Sequence, residues 1–319
     1  MNYNEWLNEW LVIWVKPMVK DRTFNKYKDV VRLQISPQLG GYKLEDLSAA
    51  TLQKFTAELV AKYSPNTVTG VVAVLKNSLL CAQTSGLIER QFSDCIKIPR
   101  VQERDMGCFT CAEQRKIERY VLASKKPKLF GIVLCLYTGL RVGELVALEW
   151  SDIDLENGTL AVTKACRDTW SDDGYVKVFD TPKTENSRRI IPVPVQLLPY
   201  LRDLKRNAES KFVICGSGGK EISVRSYQRT FELILIGLGI PHRGFHSLRH
   251  TFATRAIETG MDVKSLSRIL GHKNSTVTLN RYVHTFTEHQ NNMMNRLGSM
   301  FETTAAPFSS LPYNFPVNW

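Results

Sequence analysis

The apolar residues of this chain change their spacing twice, and that change limits the folds open to it. Through the first hundred residues they recur every three or four positions, as on one face of a helix. Trp6, Trp10 and Trp14 follow at intervals of four, and residues 23–33, 49–62 and 64–84 carry similar spacing. The Trp stripe is expected to pack against a core. Ser64 stands where it can cap the helix that follows, with Pro65 in the first turn, where its missing N–H costs nothing. Helical spacing returns after about residue 107. It then gives way to strand-like stretches at 159–167, 175–181 and 188–193, separated by turn sequences at 171–174 and 182–187. Beyond Pro194 the helical pattern resumes. The expected fold is mainly α with a small antiparallel β-sheet.

A Pro-containing, mixed-charge stretch around 98–106 divides the two patterns, and 319 residues suit two domains. The expected limits are a helical domain over 1–100, a linker over 101–106, a second domain over 107–297 and a tail over 298–319. The net charge of +11 would draw a polyanion such as nucleic acid. Residues 1–105 hold 14 basic and 11 acidic side chains and the remainder 28 and 20. All six histidines also fall in the second part, which marks it as the chemical one. The seven cysteines form no framework, as for reduced thiols inside a cell, and the isolated CxxC of Cys108 and Cys111 is expected to be ordinary packing. No apolar run has the length of a membrane span, and the first residues lack the features of a secretory signal. A cytoplasmic protein with no membrane partner is expected.

In the second part, His246 opens a helix running towards Gly260, and His246, Arg249 and His250 share one of its faces. A guanidinium beside an imidazole can bind a phosphate, since Arg offers a fork of donors and His can move a proton. His246 and His250 also stand at metal-pair spacing. Ser247 occupies the place where a zinc protease helix has Glu, so no metal is expected. Downstream, Asp262 caps a short helix that Gly271 ends, and His272 projects from that end. A further helix from about Ser275 or Thr276 carries Arg281, Tyr282 and His284.

The segments FHSLRHTFATRAIETG, LGHKN and TLNRYVH, in that order, resemble the catalytic half of the tyrosine recombinases, the phage integrase family. YTGLRVGELVALEWSDID resembles that family's first Arg motif, supplying Arg141 with Glu144 as a buried support. TPKTENSRRIIPVP resembles the hairpin of its catalytic Lys, here Lys183. The likeness covers about residues 106–290 and is looser over ISPQLGGYKLEDLSAATLQKF and VLKNSLLCAQTSGLIER, which suggest the family's helical core-binding domain. They look most like integrases of phages and conjugative transposons. An additional arm-binding domain in front is not expected, nor with it a second class of DNA site.

The resemblance implies a helical core-binding domain followed by an α+β catalytic domain. It implies that Arg141, Arg249 and His272 hold a DNA phosphate, that Tyr282 attacks it to form a 3'-phosphotyrosyl link, and that Lys183 protonates the leaving 5'-hydroxyl. His246 is a candidate proton acceptor, with the identity of the base left open. No cofactor is implied. The implied partners are double-stranded DNA recombination sites and three further copies of the chain in a tetramer, with an excisionase or a host DNA-bending protein as candidate accessories. The apolar tail is a candidate intersubunit contact. Three alternatives remain at this level: an Xer-like resolvase of chromosome or plasmid dimers, a non-catalytic DNA-binding protein on the same fold, and a metal-dependent hydrolase built on His246 and His250.

Overall fold

The computed structural model describes residues 1–89, 92, 96–98, 107–124, 126–171, 174–180, 188–272, 274, 276, 294 and 297. The chain separates into two compact units, Met1–Arg104 and Asp105–Trp319. The expected linker, the turn at 182–187, the helix carrying Tyr282 and the tail at 298–319 lie outside the described residues.

In the first unit, helix α1 (Tyr3–Trp10) begins at a reciprocal cap. The Asn2 side chain accepts from the Glu5 N–H (2.8 Å) and the Glu5 carboxylate accepts from the Asn2 N–H (2.9 Å). Tyr3, Trp6, Leu7 and Trp10 face inward. The next turn is a π-helix, Leu11–Val15, closed by the Lys16 N–H to the Leu11 carbonyl (3.0 Å). A π-turn inserts one extra residue, so the inward face moves on by one position. Leu11 and Val15 are therefore 5% exposed while Trp14 is 43% exposed, and the expected three-Trp stripe ends at Trp10.

Helix α2 (Asp21–Val30) passes into a second π-turn, Val31–Ile35, and the short α3 (Ser36–Leu39). Helices α4 (Ala49–Lys62) and α5 (Pro65–Thr84) start at Ser48 and Ser64, whose side chains accept the N–H of Thr51 and of Thr67. On α5, Ser78 keys α1 in place. Its hydroxyl bonds the Tyr3 hydroxyl at 2.6 Å and its carbonyl accepts from Trp6 Nε1 at 3.0 Å.

The second unit is organised around α7 (Pro127–Thr138), which is apolar on nearly all sides and buried accordingly. It packs against α6 (Cys111–Ser124), the short α8 (Val142–Ala147) and α11 (His246–Glu258), and α11 in turn against α12 (Val263–Leu270). Phe109 is held from both sides of its backbone by α11. Its N–H goes to Thr251 Oγ1 (2.9 Å) and its carbonyl accepts from Arg255 Nη2 (3.0 Å). The unit also holds helices α9 (Leu198–Arg206) and α10 (Val224–Gly237).

The strands form two antiparallel sheets where the sequence suggests one. β1 (Ile153–Asp154), β2 (Thr159–Val162) and β5 (Arg189–Pro192) lie in the order β1-β2-β5, while β3 (Ala165–Ser171) and β4 (Gly174–Asp180) make a separate hairpin. The stretch expected as one strand breaks at Thr163 and Lys164. Lys164 pairs with Glu149 (2.9 Å) and Asp152 (3.5 Å), and Thr163 bonds Asp152 (3.2 Å), so both residues serve the preceding turn. In the three-stranded sheet Val162 pairs with Arg189 and Leu160 with Ile191.

The register shift in α1 is testable by truncation. Trp10→Ala should cost about 3–5 kcal/mol in urea unfolding followed by circular dichroism, and Trp14→Ala under about 0.5 kcal/mol. Equal losses would contradict the π-turn.

Candidate active site

Helix α7 ends at Gly139, whose φ of +65° turns the chain sharply towards α8. A side chain there would strike Phe252 and Leu270, with a Cβ only 2.6 Å and 2.9 Å from their atoms. The turn sets Arg141 at the first residue before α8, and Glu144 reaches back to accept its N–H at 2.9 Å. The same carboxylate takes Arg141 Nη1 at 2.7 Å. Glu144 is buried, whereas the Arg141 side chain is 37% exposed and therefore reachable from solution.

A second guanidinium shares this carboxylate. Arg189, at the start of β5, places Nη1 3.0 Å from Glu144 Oε1 and Nη2 2.8 Å from Oε2, a bidentate fork with both side chains under 10% exposed. Burial alone would raise the Glu144 pKa. The hydrogen bonds and charge of Arg189, followed by those of Arg141, outweigh it and lower the value from 4.5 to about 2.

Helix α12 supplies the other half of the arrangement. Asp262 caps its start, accepting the Ser265 N–H at 2.9 Å. Its end is a left-handed turn at Gly271, with the Gly271 N–H on the Arg268 carbonyl (3.0 Å) and the His272 N–H on the Ser267 carbonyl (3.1 Å). His272 is thus fixed by its backbone at the helix end, and it is half-buried. Three guanidiniums meet the successive carbonyls of that turn: Arg189 Nε on Ile269 (2.6 Å), Arg249 Nη2 on Leu270 (2.5 Å) and Arg141 Nη2 on Gly271 (3.2 Å). Cations suit the negative end of a helix dipole, so the turn and the arginines stabilise one another.

Arg249, on α11, also donates Nη1 to the Gly139 carbonyl at 2.8 Å and is only 2% exposed. Two of its five N–H donors thus hold backbone rather than pointing outward. His250 beside it is buried, while His246 in the first turn is exposed, and the two imidazoles meet edge to face with centroids 4.6 Å apart. The structure therefore brings Arg141, Glu144, Arg249 and His272 together around the end of α12, with His246 on the outer turn of α11. Lys183 and Tyr282 lie outside the described residues. Arg189 was not anticipated. The signal for it lies in the two-residue period of β5, which puts position 189 on the same side as the buried Ile191.

The chain matches the phage integrase family over residues 112–289 and the N-terminal SAM-like domain of phage integrases over residues 2–60. It belongs to that family, and its activity is the site-specific recombination of DNA by a tyrosine recombinase. A tyrosine recombinase XerC-like protein of Caldanaerobacter subterraneus subsp. tengcongensis is 29% identical, over 93% of this chain and 81% of the relative. The transposase from transposon Tn916 of Enterococcus faecalis is 24% identical, over 84% of this chain and 71% of the relative. In fold, the chain is similar to the Tn1549 transposon integrase in complex with a circular intermediate DNA, with a TM-score of 0.78 and 23% identity over 93% of this chain and 99% of that one. Among the described residues, no helix is long and apolar enough to cross a membrane.

Because the folded state lowers the Glu144 pKa, its contribution is full above the unfolded value of 4.5 and is lost as the pH falls towards about 2. Wild-type stability should fall in that window by on the order of 3 kcal/mol from this group. Glu144→Gln should lose that component of the pH slope and cost about 3–5 kcal/mol at pH 7, since two guanidiniums lose their counter-charge. Denaturant titrations across pH measure both, and an unchanged slope would contradict the assignment.

Proposed function

We propose that Arg141, Arg249 and His272 hold the scissile phosphate and that Tyr282 attacks it. The observation that carries this reading is the convergence of those three residues on the last turn of α12. A phosphodiester repels nucleophiles, and its charge grows in the pentavalent transition state. Fixed cationic donors there lower the barrier without reorganising during the reaction. The Tyr282 oxygen bonds to phosphorus as the bond to the 5'-oxygen breaks. The phenolic proton passes to a base, for which exposed His246 is the candidate, and the leaving 5'-oxygen takes a proton from Lys183. The 3'-phosphotyrosyl link is then attacked by a 5'-hydroxyl of the partner strand, which frees Tyr282. The link conserves the bond's energy, so the cycle balances without ATP or a metal.

Exchange between two duplexes cuts four strands, which suits a homotetramer on paired DNA sites. The likeness to transposon proteins supports integration or excision of a mobile element. That reading takes an excisionase or a DNA-bending protein as accessory and the cytoplasm as the setting. The likeness to the XerC-like relative supports resolution of chromosome or plasmid dimers as a second reading. Recombination between an element end and a target site, set against recombination between two copies of one site, separates the two.

A nicked suicide duplex carrying the recombination site tests the chemistry. Wild-type protein should form a covalent adduct in EDTA, Tyr282→Phe none, and Arg141→Ala or Arg249→Ala about 10²–10³-fold less per unit time. Adduct formed equally by Tyr282→Phe would overturn the nucleophile, and metal-dependent cleavage without adduct would overturn the reaction class.

A further inference from the structure

We propose that Arg189 is a positioning residue of the recombination site, acting through Glu144 and the end of α12 on Arg141 and His272; this rests on the roles proposed above for those two residues. Like Arg141, Arg189 bridges both halves of the arrangement, and it does so through all three of its guanidinium nitrogens. Its two terminal nitrogens grip the two oxygens of Glu144, at 3.0 Å and 2.8 Å, which fixes the plane of the carboxylate. Arg141 then docks on the same two oxygens, through Nη1 at 2.7 Å and its backbone N–H at 2.9 Å. The third nitrogen of Arg189, Nε, holds the Ile269 carbonyl at 2.6 Å, next to the carbonyls held by Arg249 and Arg141.

The fit around Arg189 is close on the helix side as well. A Cβ on Gly271 would lie 3.1 Å from both its Cδ and its Nη1, so the left-handed glycine that precedes His272 also makes room for this guanidinium. All three of its guanidinium nitrogens are engaged by Glu144 and the Ile269 carbonyl. Its influence on the reaction therefore runs through residues that it orients. Without it, Glu144 would be gripped from one side only, and the turn that presents His272 would lose one of its three cationic caps. Small displacements of groups aimed at a phosphate cost rate far more than they cost binding.

Lysine would supply the charge but could not span the carboxylate and the Ile269 carbonyl together. Single-turnover adduct formation on the suicide duplex at saturating DNA, with the half-saturating concentration and the melting temperature measured alongside, tests the assignment. Arg189→Ala should slow the reaction about 50-fold or more and Arg189→Lys about 5–20-fold, each with half-saturation within about threefold of wild type. If Arg189→Ala does not fold, the Lys variant decides. A folded Arg189→Lys protein that reacts at the wild-type rate would overturn the proposal. So would one whose binding weakens as much as its rate, or one that fails to fold, since the residue would then serve binding or the fold alone. Wild-type protein that forms no Tyr282-dependent adduct would instead overturn the underlying reading of the site.

Discussion

A buried carboxylate between two guanidiniums is the interaction from which the proposed catalytic arrangement follows. Glu144 takes Arg141 and Arg189 at once, and the two arginines reach on to the last turn of α12. One buried negative charge against two positive ones leaves the cluster net cationic. The reach of both arginines to carbonyl oxygens uses the partial negative charge of the helix end to hold them. A surplus positive charge kept in a fixed geometry suits a dianionic transition state. Removing the carboxylate would strand two cations in a buried place, which is why Glu144 counts for more than an ordinary supporting residue.

The fold brings these groups together from four distant stretches of sequence. The end of α7 and the start of α8 supply the Gly139 carbonyl, Arg141 and Glu144, β5 brings Arg189, α11 brings Arg249, and α12 presents His272. The buried helix α7 provides the common support, since α8 and α11 both pack on it. Rigid elements of this kind suit the proposed hold of several residues on one phosphate.

Much of this was legible in the sequence where the governing signal is local. Ser64, Asp262 and Gly271 act at the helix ends their residue types suggest. The order of Arg141, Arg249, His272 and Tyr282 is a pattern of residue types along the chain, and the family it suggested is the one the chain matches. What was hidden depends on geometry that spacing does not carry. The π-turn at Leu11–Val15 moved Trp14 outward, although it stands at helical spacing. Thr163 and Lys164 split one apparent strand into two because their partners lie in the turn before it. Arg189 fell within an expected strand with no role assigned to it, its carboxylate partner being 45 residues away. Arg249 was expected to spend its donors on phosphate, and the structure shows two of them holding the carbonyls of Gly139 and Leu270.

The central claim is that this cluster presents one phosphate to Tyr282. The most direct measurement is a crystal structure of the Tyr282→Phe protein on an intact recombination site. The account predicts a single backbone phosphate within about 3 Å of donors from both Arg141 and Arg249, beside His272 and with the ring of residue 282 facing it. A phosphate held by neither arginine, or one faced by a different nucleophile, would contradict it.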